Sequence, residues 1–387
     1  MKITCTQENL NQGLNIVSHI ASKNTSLPIL NNVLIKAEKG ILNLTTTNLE
    51  IGINCQIRGK IEKDGSYTVH SKLINDYVNL LPNQKVLLEQ KDDNLEIKTE
   101  QQETKIKGNS PEEFPLIPQV TRSEVYSCKI NEILKAFSQV LLAVSVSETR
   151  PEISGVYFNF KEDLLTLATT DSYRLAEKKI KLKEKVKTEK EVIIPAKTIQ
   201  ELFRILSNLT GQNERVSDEE SNSGLEIYFE DNQVLFVFDN VELVSRIIEG
   251  QYPNYQQIIP SDYKTKAIVN INDLIKATKT AALFSRTGIY DINLELDKNG
   301  VTVSSTNNQL GENRSKVESI VTGEDNKIII NYRYLLDGLQ NIDASQLIFE
   351  MSDESNPCVI KPAESLPEGE EPIASEDYLY IIMPIKQ

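Results

Sequence analysis

Apolar and polar residues alternate strictly over long stretches of this chain, and the alternation breaks in the same way three times. The first block reads GILNLTTTNLEIGINCQI from Gly40, the second DLLTLATTDSYRLAEKKI from Asp163, the third NGVTVSSTNNQLGENRSKV from Asn299. Alternation with a period of two places one face of a strand on a core and the other toward solvent. The small hydroxyl residue followed by Asn or Asp predicts a tight turn between two such strands. The turn markers Asn48, Asp171 and Asn307 recur 123 and 136 positions apart. A threefold internal repeat of about 125 residues follows.

Helical spacing fills the intervals. Apolar residues at three- and four-residue steps predict helices over 8–20, 131–144 and 272–284 upstream of the blocks, with Asn131 and Asn272 as N-caps. A second strand-to-helix step predicts helices over 71–81, 197–209 and 331–341, and alternating strands return over 94–107 and 234–248. The expected class is α+β: three similar domains per chain, each with two helices packed on antiparallel sheets. The repeat sets their bounds at 1–122, 123–250 and 251–387, joined through the Pro-containing segments 109–124 and 249–263. Two acidic segments, 213–226 and 362–377, break the register, and the second reads as a solvated loop. Calcium binding in the second is the alternative, but the ligand spacing of an EF-hand is missing.

Composition narrows the function. With 387 residues, 39 % hydrophobic and 25 % charged, the chain can bury several cores. No run approaches the ~18 apolar residues that would span a bilayer. The first thirty residues hold no apolar h-region, and the four cysteines are far apart, so the expected location is cytoplasmic, with no membrane partner. Two histidines, His19 and His70, stand apart from other ligand or nucleophile types, and neither GxxxxGK[ST] nor GxGxxG occurs. No catalytic residue, metal or cofactor is therefore assigned, and the chain reads as a non-enzyme.

The net charge of −14 argues against tight binding to nucleic acid, because such affinity comes from Lys and Arg neutralising phosphates. Its distribution changes that conclusion. The six predicted helices carry seven basic residues (Lys72, Lys135, Lys197, Arg204, Lys276, Lys279 and Arg333) against six acidic ones, while the rest of the chain carries −15. Near-neutral helices suit weak, sequence-independent phosphate contacts.

Several strings carry a family resemblance. They are SLPILNNVLI from Ser26, TNLEIGI from Thr47, EEFP from Glu112, RPEISGVYF from Arg150 and ATTDSYRLAEK from Ala168. YPNYQQIIP from Tyr252, NYRYLLDGL from Asn331 and YLYIIMPIK from Tyr378 complete the set. In this order and over nearly the whole chain they resemble the bacterial DNA sliding clamp, the beta subunit of DNA polymerase III. The resemblance implies a DNA polymerase processivity factor: a head-to-tail homodimer closing a ring of six domains around duplex DNA, helices inside and sheets outside. It implies partners as well: the polymerase III catalytic subunit, the clamp loader, repair and translesion polymerases, mismatch-repair proteins and ligase.

Carried over residue by residue, the pocket for partner peptides comprises Arg150, Ile153, Thr170, Ser172, Tyr173, Arg174 and Leu175. It continues with Pro253, Ile258, Tyr334, Ile381, Met383, Pro384 and Ile385. Core packing is the competing reading for Ile153, Leu175, Ile258 and Ile381. The DNA-facing set is Lys23, Arg150 and the seven helix cations; the subunit interface is expected at Leu73, Leu283 and Phe284, for which packing within the domain competes. Tyr173 replaces a frequent His, Gln257 an occasional Arg, and Pro357 a common Ser. The rival function is a β-rich protein-binding scaffold that never encloses DNA.

Overall fold

The structure, a computed structural model, describes residues 1–21, 27–147, 149–212, 224–364 and 372–386. It contains six α-helices among the described residues, each beginning at the residue after a strand ends: α1 (Gln7–Val17), α2 (Ser71–Asn79), α3 (Ile130–Val140), α4 (Ala196–Gln212), α5 (Ile271–Ala282) and α6 (Tyr332–Gln340). That junction is built into the sequence. At four of the six junctions the last strand residue offers a side-chain acceptor to the first free helix N–H groups. Thr6 Oγ1 accepts from Asn9 N (3.2 Å), Asn270 Oδ1 from Asn272 N (2.9 Å) and Asp273 N (3.2 Å), and Asn331 Oδ1 from Arg333 N (2.9 Å). His70 does the same for α2 through Nδ1 and Leu73 N, at 3.4 Å. The expected caps Asn131 and Asn272 are thus corrected: both lie inside helices, and the strand immediately before α5 supplies the cap two residues earlier, at Asn270.

Strand pairing divides the chain into two compact units, residues 1–130 with 201–247 and residues 131–200 with 248–387. The first unit is one 13-stranded antiparallel sheet. In it Val241–Arg246 of the middle repeat pairs with Ile51–Ile57 of the first, Leu243 facing Ile53. The second unit has a 10-stranded and a 4-stranded sheet. There Arg174–Lys181 of the middle repeat pairs with Tyr378–Ile382 of the third, Leu175 facing Ile381. The middle repeat therefore closes each neighbour by edge-to-edge pairing, which leaves fewer unpaired strand edges exposed. The loop expected over the second acidic segment is corrected in part. Residues 213–223 and 365–371 lie outside the described residues, but Gly224–Glu226 opens a strand, and Ala363 and Glu364 pair with Ala374 and Ile373.

All four cysteines are free and buried, and burial alone pushes the Cys5 and Cys55 thiols up to about 12. Among the described residues no helix is long and apolar enough to cross a membrane, and no cluster of three metal-ligating side chains occurs.

One charged cluster stands on the first sheet. Glu96, 5 % exposed, takes Lys105 at 2.9 Å, Lys91 at 3.1 Å and Lys98 at 3.2 Å. Hydrogen bonds from Lys105, Lys91 and Lys98, against the opposing effect of burial, hold its carboxyl down at about 2. A carboxylate depressed in the folded state stabilises above its unfolded value of ~4.3 and loses that contribution as pH falls toward ~2. The urea midpoint of Glu96→Gln is accordingly expected below wild type near neutrality, with the gap narrowing as pH falls through ~4 to ~2. A gap constant with pH would show that the three lysines do not act through the charge of Glu96.

Candidate partner-peptide site and basic helix faces

The turn of the second block is held by its own side chains. Thr170 Oγ1 accepts from Ser172 N (3.1 Å) and donates to Arg174 O (2.7 Å). Asp171 Oδ1 accepts from Tyr173 N (2.9 Å) and Arg174 N (3.0 Å), and Ser172 takes φ +78°. This geometry presents Ser172 and Tyr173 outward, Tyr173 at 63 % exposure. Arg174 folds back instead. It bonds Asp171 (3.0 Å) and Asp337 (2.6 Å) and lies over the Tyr334 ring at 4.5 Å. Arg150 donates to Ser172 Oγ at 3.0 Å and pairs with Glu152 at 3.1 Å.

The chain end comes to the same place. Beyond the Leu175–Ile381 register, Met383 N donates to Tyr173 O and Ile385 N to Ile329 O, both at 2.8 Å. The segment Met383-Pro384-Ile385 is pinned at both ends and half-buried. Beneath it Tyr380 Oη donates to Tyr334 O at 2.9 Å. Pro253 is half-buried and Ile258 is 41 % exposed.

Three expected pocket residues are corrected to core. Ile153, Leu175 and Ile381 are 2 %, 0 % and 0 % exposed, packed with Ile193, Tyr252 and Tyr255, so they support the surface from below without reaching it. Thr170 is buried and its hydroxyl is used by the turn, and Arg174 is committed to two carboxylates; neither is a free polar contact. Three tyrosines escaped the sequence reading. Tyr157 stacks on Tyr252 with centroids 4.9 Å apart, and Tyr255 Oη donates to buried Glu177 at 2.5 Å. They fix the segment that carries Pro253 and Ile258; Tyr252 and Tyr255 stand in the YPNY string and Tyr157 in RPEISGVYF.

Of the helix cations, Lys197 and Lys279 are exposed without a side-chain partner among the described residues. Lys72, Lys135 and Lys276 sit in exposed pairs with Asp76 (2.7 Å), Asp343 (2.8 Å) and Asp273 (3.6 Å). Pairs of this kind contribute only ~0–1 kcal/mol and exchange readily for a phosphate. Arg333 lies over the Tyr290 ring at 3.6 Å. Arg204 is corrected: it is bound to Glu201 (2.6 Å) and donates to Ile16 O (2.9 Å) and Asn15 O (3.3 Å). It satisfies carbonyls at the C-terminal end of α1, where a cation is favoured by the helix dipole, and is not free for phosphate. His19 completes that cluster through Nδ1 to Glu201 at 2.6 Å. Lys23 lies outside the described residues.

The chain matches three family models in order. They are the DNA polymerase III beta subunit N-terminal domain over residues 1–118, its central domain over 128–254 and its C-terminal domain over 256–368. The chain belongs to this family. The beta sliding clamp of Staphylococcus epidermidis is 30 % identical over 375 residues, covering 94 % of this chain and 96 % of the relative. That of Synechococcus elongatus is 28 % identical over 392 residues, covering 100 % and 99 %. The crystal structure of the DNA polymerase sliding clamp from Bacillus subtilis superposes with a TM-score of 0.89 at 26 % identity, covering 100 % and 99 %.

Membership in the beta sliding clamp family decides between the two functions left open above, in favour of the processivity clamp over the β-rich scaffold. Of the residues expected at the subunit interface, Leu73 on α2 is 53 % exposed and Leu283, just after α5, is 71 % exposed. Phe284 is half-buried.

Proposed function

We propose that two copies of this chain close head to tail into a ring that holds duplex DNA by topology and lends it to polymerases. The observation that carries this reading is the partition of charge. Lys72, Lys135, Lys197, Lys276, Lys279 and Arg333 sit on five of the six helices of the threefold repeat, α2 to α6, in a chain of net charge −14. A ring needs no affinity for its DNA, and a few exchangeable contacts let it slide where a dense basic surface would hold it. Leu73, Leu283 and Phe284 supply the apolar centre of the joint between subunits. Lys23 and Arg150 add to the DNA-facing set.

The half-buried tail Met383-Pro384-Ile385, with Tyr173, Tyr334, Pro253, Ile258 and the Arg150–Ser172 pair, receives the short Gln-and-apolar peptides of partners. These are the polymerase III catalytic subunit, the clamp loader, repair and translesion polymerases, mismatch-repair proteins and ligase. Tethering turns repeated association into an intramolecular event at high effective concentration. The chain is a cytoplasmic, non-catalytic subunit that needs no cofactor. Solution scattering on absolute scale tests the ring: the mass should be twice 43.7 kDa, with a distance distribution requiring a hollow centre. A compact solid dimer, or a monomer at every concentration, would remove topological binding.

A further inference from the structure

The repeat builds the tail-and-turn arrangement a second time, at the first joint. In the first block Thr47 Oγ1 accepts from Leu49 N (3.1 Å) and donates to Ile51 O (3.0 Å). Asn48 Oδ1 accepts from Glu50 N (3.0 Å) and Ile51 N (2.8 Å), and Leu49 takes φ +77°. These are the bonds of Thr170–Arg174, residue for residue. The strand that closes on the turn is also equivalent: Gly52 faces Val244 as Leu175 faces Ile381. Arg246 N donates to Glu50 O at 3.3 Å, as Met383 N does to Tyr173 O at 2.8 Å. Leu116-Ile117-Pro118 in the first joint corresponds to Ile258-Ile259-Pro260 in the second.

The chemistry at the matching positions differs. Glu50 replaces Tyr173, Arg246 replaces Met383, and Gly52 replaces Leu175. The bare Gly52 lets Ile117 approach, its Cδ1 lying only 2.9 Å from where a Cβ would stand. A cleft of about 240 Å³ remains open, lined by Leu49, Glu50, Leu116, Ile117, Val244 and Arg246. On its rim Leu49 is 49 % and Leu116 95 % exposed. Neither Glu50 nor Arg246 has a side-chain partner among the described residues.

We infer that this cleft is a second docking site, which takes a short extended segment of a partner protein whose single apolar anchor is flanked by one acidic and one basic residue. The volume decides for one anchor, since sites for drug-sized ligands run from ~300 Å³ upward. The unpaired charges decide the flanks: an acid meets Arg246 and a base meets Glu50. A Gln-and-apolar peptide gains nothing from either, so the two sites select different partners. The assignment rests on the tail pocket through the shared geometry.

Ligand-observed saturation-transfer NMR on the full chain separates the two. The probes are acetyl-Asp-Leu-Lys-amide for the cleft and acetyl-Gln-Leu-Ser-Leu-Phe-amide for the tail pocket. Leu116→Asp and Arg246→Glu change exposed side chains and leave the core untouched. Each is expected to weaken the charged probe at least about tenfold, or 1.4 kcal/mol, without changing binding of the Gln probe. Met383→Ala should do the reverse. If the charged probe fails to bind, or binds equally to wild type and both cleft variants, the second site is overturned and the tail pocket stands. If the Gln probe ignores Met383→Ala while the charged probe responds to the cleft variants, the tail pocket fails and the cleft stands.

Discussion

Ending the chain after Ile382 should abolish binding of a Gln-and-apolar peptide while leaving the fold standing. Met383 and Ile385 are half-buried, held by one backbone bond each, and lie outside the strand Tyr378–Ile382. Their loss removes two apolar surfaces at which truncation of a single anchor commonly costs ~1–2 kcal/mol. The expected drop in affinity is about 30-fold or more. The cost to folding is small, because the register from Arg174–Ile382 to Lys178–Tyr378 is retained and the two lost hydrogen bonds are worth only ~1 kcal/mol each. Fluorescence anisotropy of a labelled peptide and a urea titration measure the two effects separately. Affinity within about threefold of wild type would mean that the tail is not part of the peptide site.

Gly338→Ala should do the opposite: damage the fold first and the site through it. Gly338 lies in α6 against Tyr380, and a Cβ there would come 2.4 Å from Cδ1 and Cε1 of the ring. The ring is fully buried, and its hydroxyl is anchored to Tyr334 O on the same helix, so it cannot swing away. Forcing extra volume into such a contact costs ~1–3 kcal/mol, and the pinned ring places this case at the upper end. Alanine's better helix propensity returns ~1 kcal/mol, leaving a net loss of about 2 kcal/mol. The same shift of α6 moves Tyr334 and Asp337, which hold Arg174, so peptide binding should weaken along with stability. A neutral or stabilising Gly338→Ala would show that α6 and the terminal strand yield to each other without strain.

Together the two variants separate contact from support. Truncation removes surface that a peptide would touch; the glycine variant leaves that surface in place and displaces what lies under it. A peptide affinity lost in both, with stability lost in only one, is the pattern expected.

Much of this molecule is legible in its sequence alone. Period-two alternation, the hydroxyl-Asn/Asp turns and the six helical stretches depend on bonds between residues a few positions apart, so local sequence is enough to specify them. Asn48, Asp171 and Asn307 each accept backbone N–H groups two and three residues on, as turn chemistry predicts, and only the third turn needs an extra residue and Gly311 at φ +104°. The family strings named most of the residues around the chain end for the same reason: they are contiguous segments.

Burial and charge pairing were not legible, because they depend on what arrives from far along the chain. Ile153, Leu175 and Ile381 looked identical to surface anchors until strand pairing placed Leu175 against Ile381 under two tyrosines. Arg204 looked like any helix cation, yet the end of α1, nearly two hundred residues earlier in the chain, turned it into a cap. Glu96 became a strongly depressed carboxylate only where three strands set lysines around it. On its own the sequence determined the repeat, the elements and the family, since each is written in short-range pattern; the three-dimensional arrangement decided which of the named side chains can touch anything, since exposure and partners are properties of long-range packing.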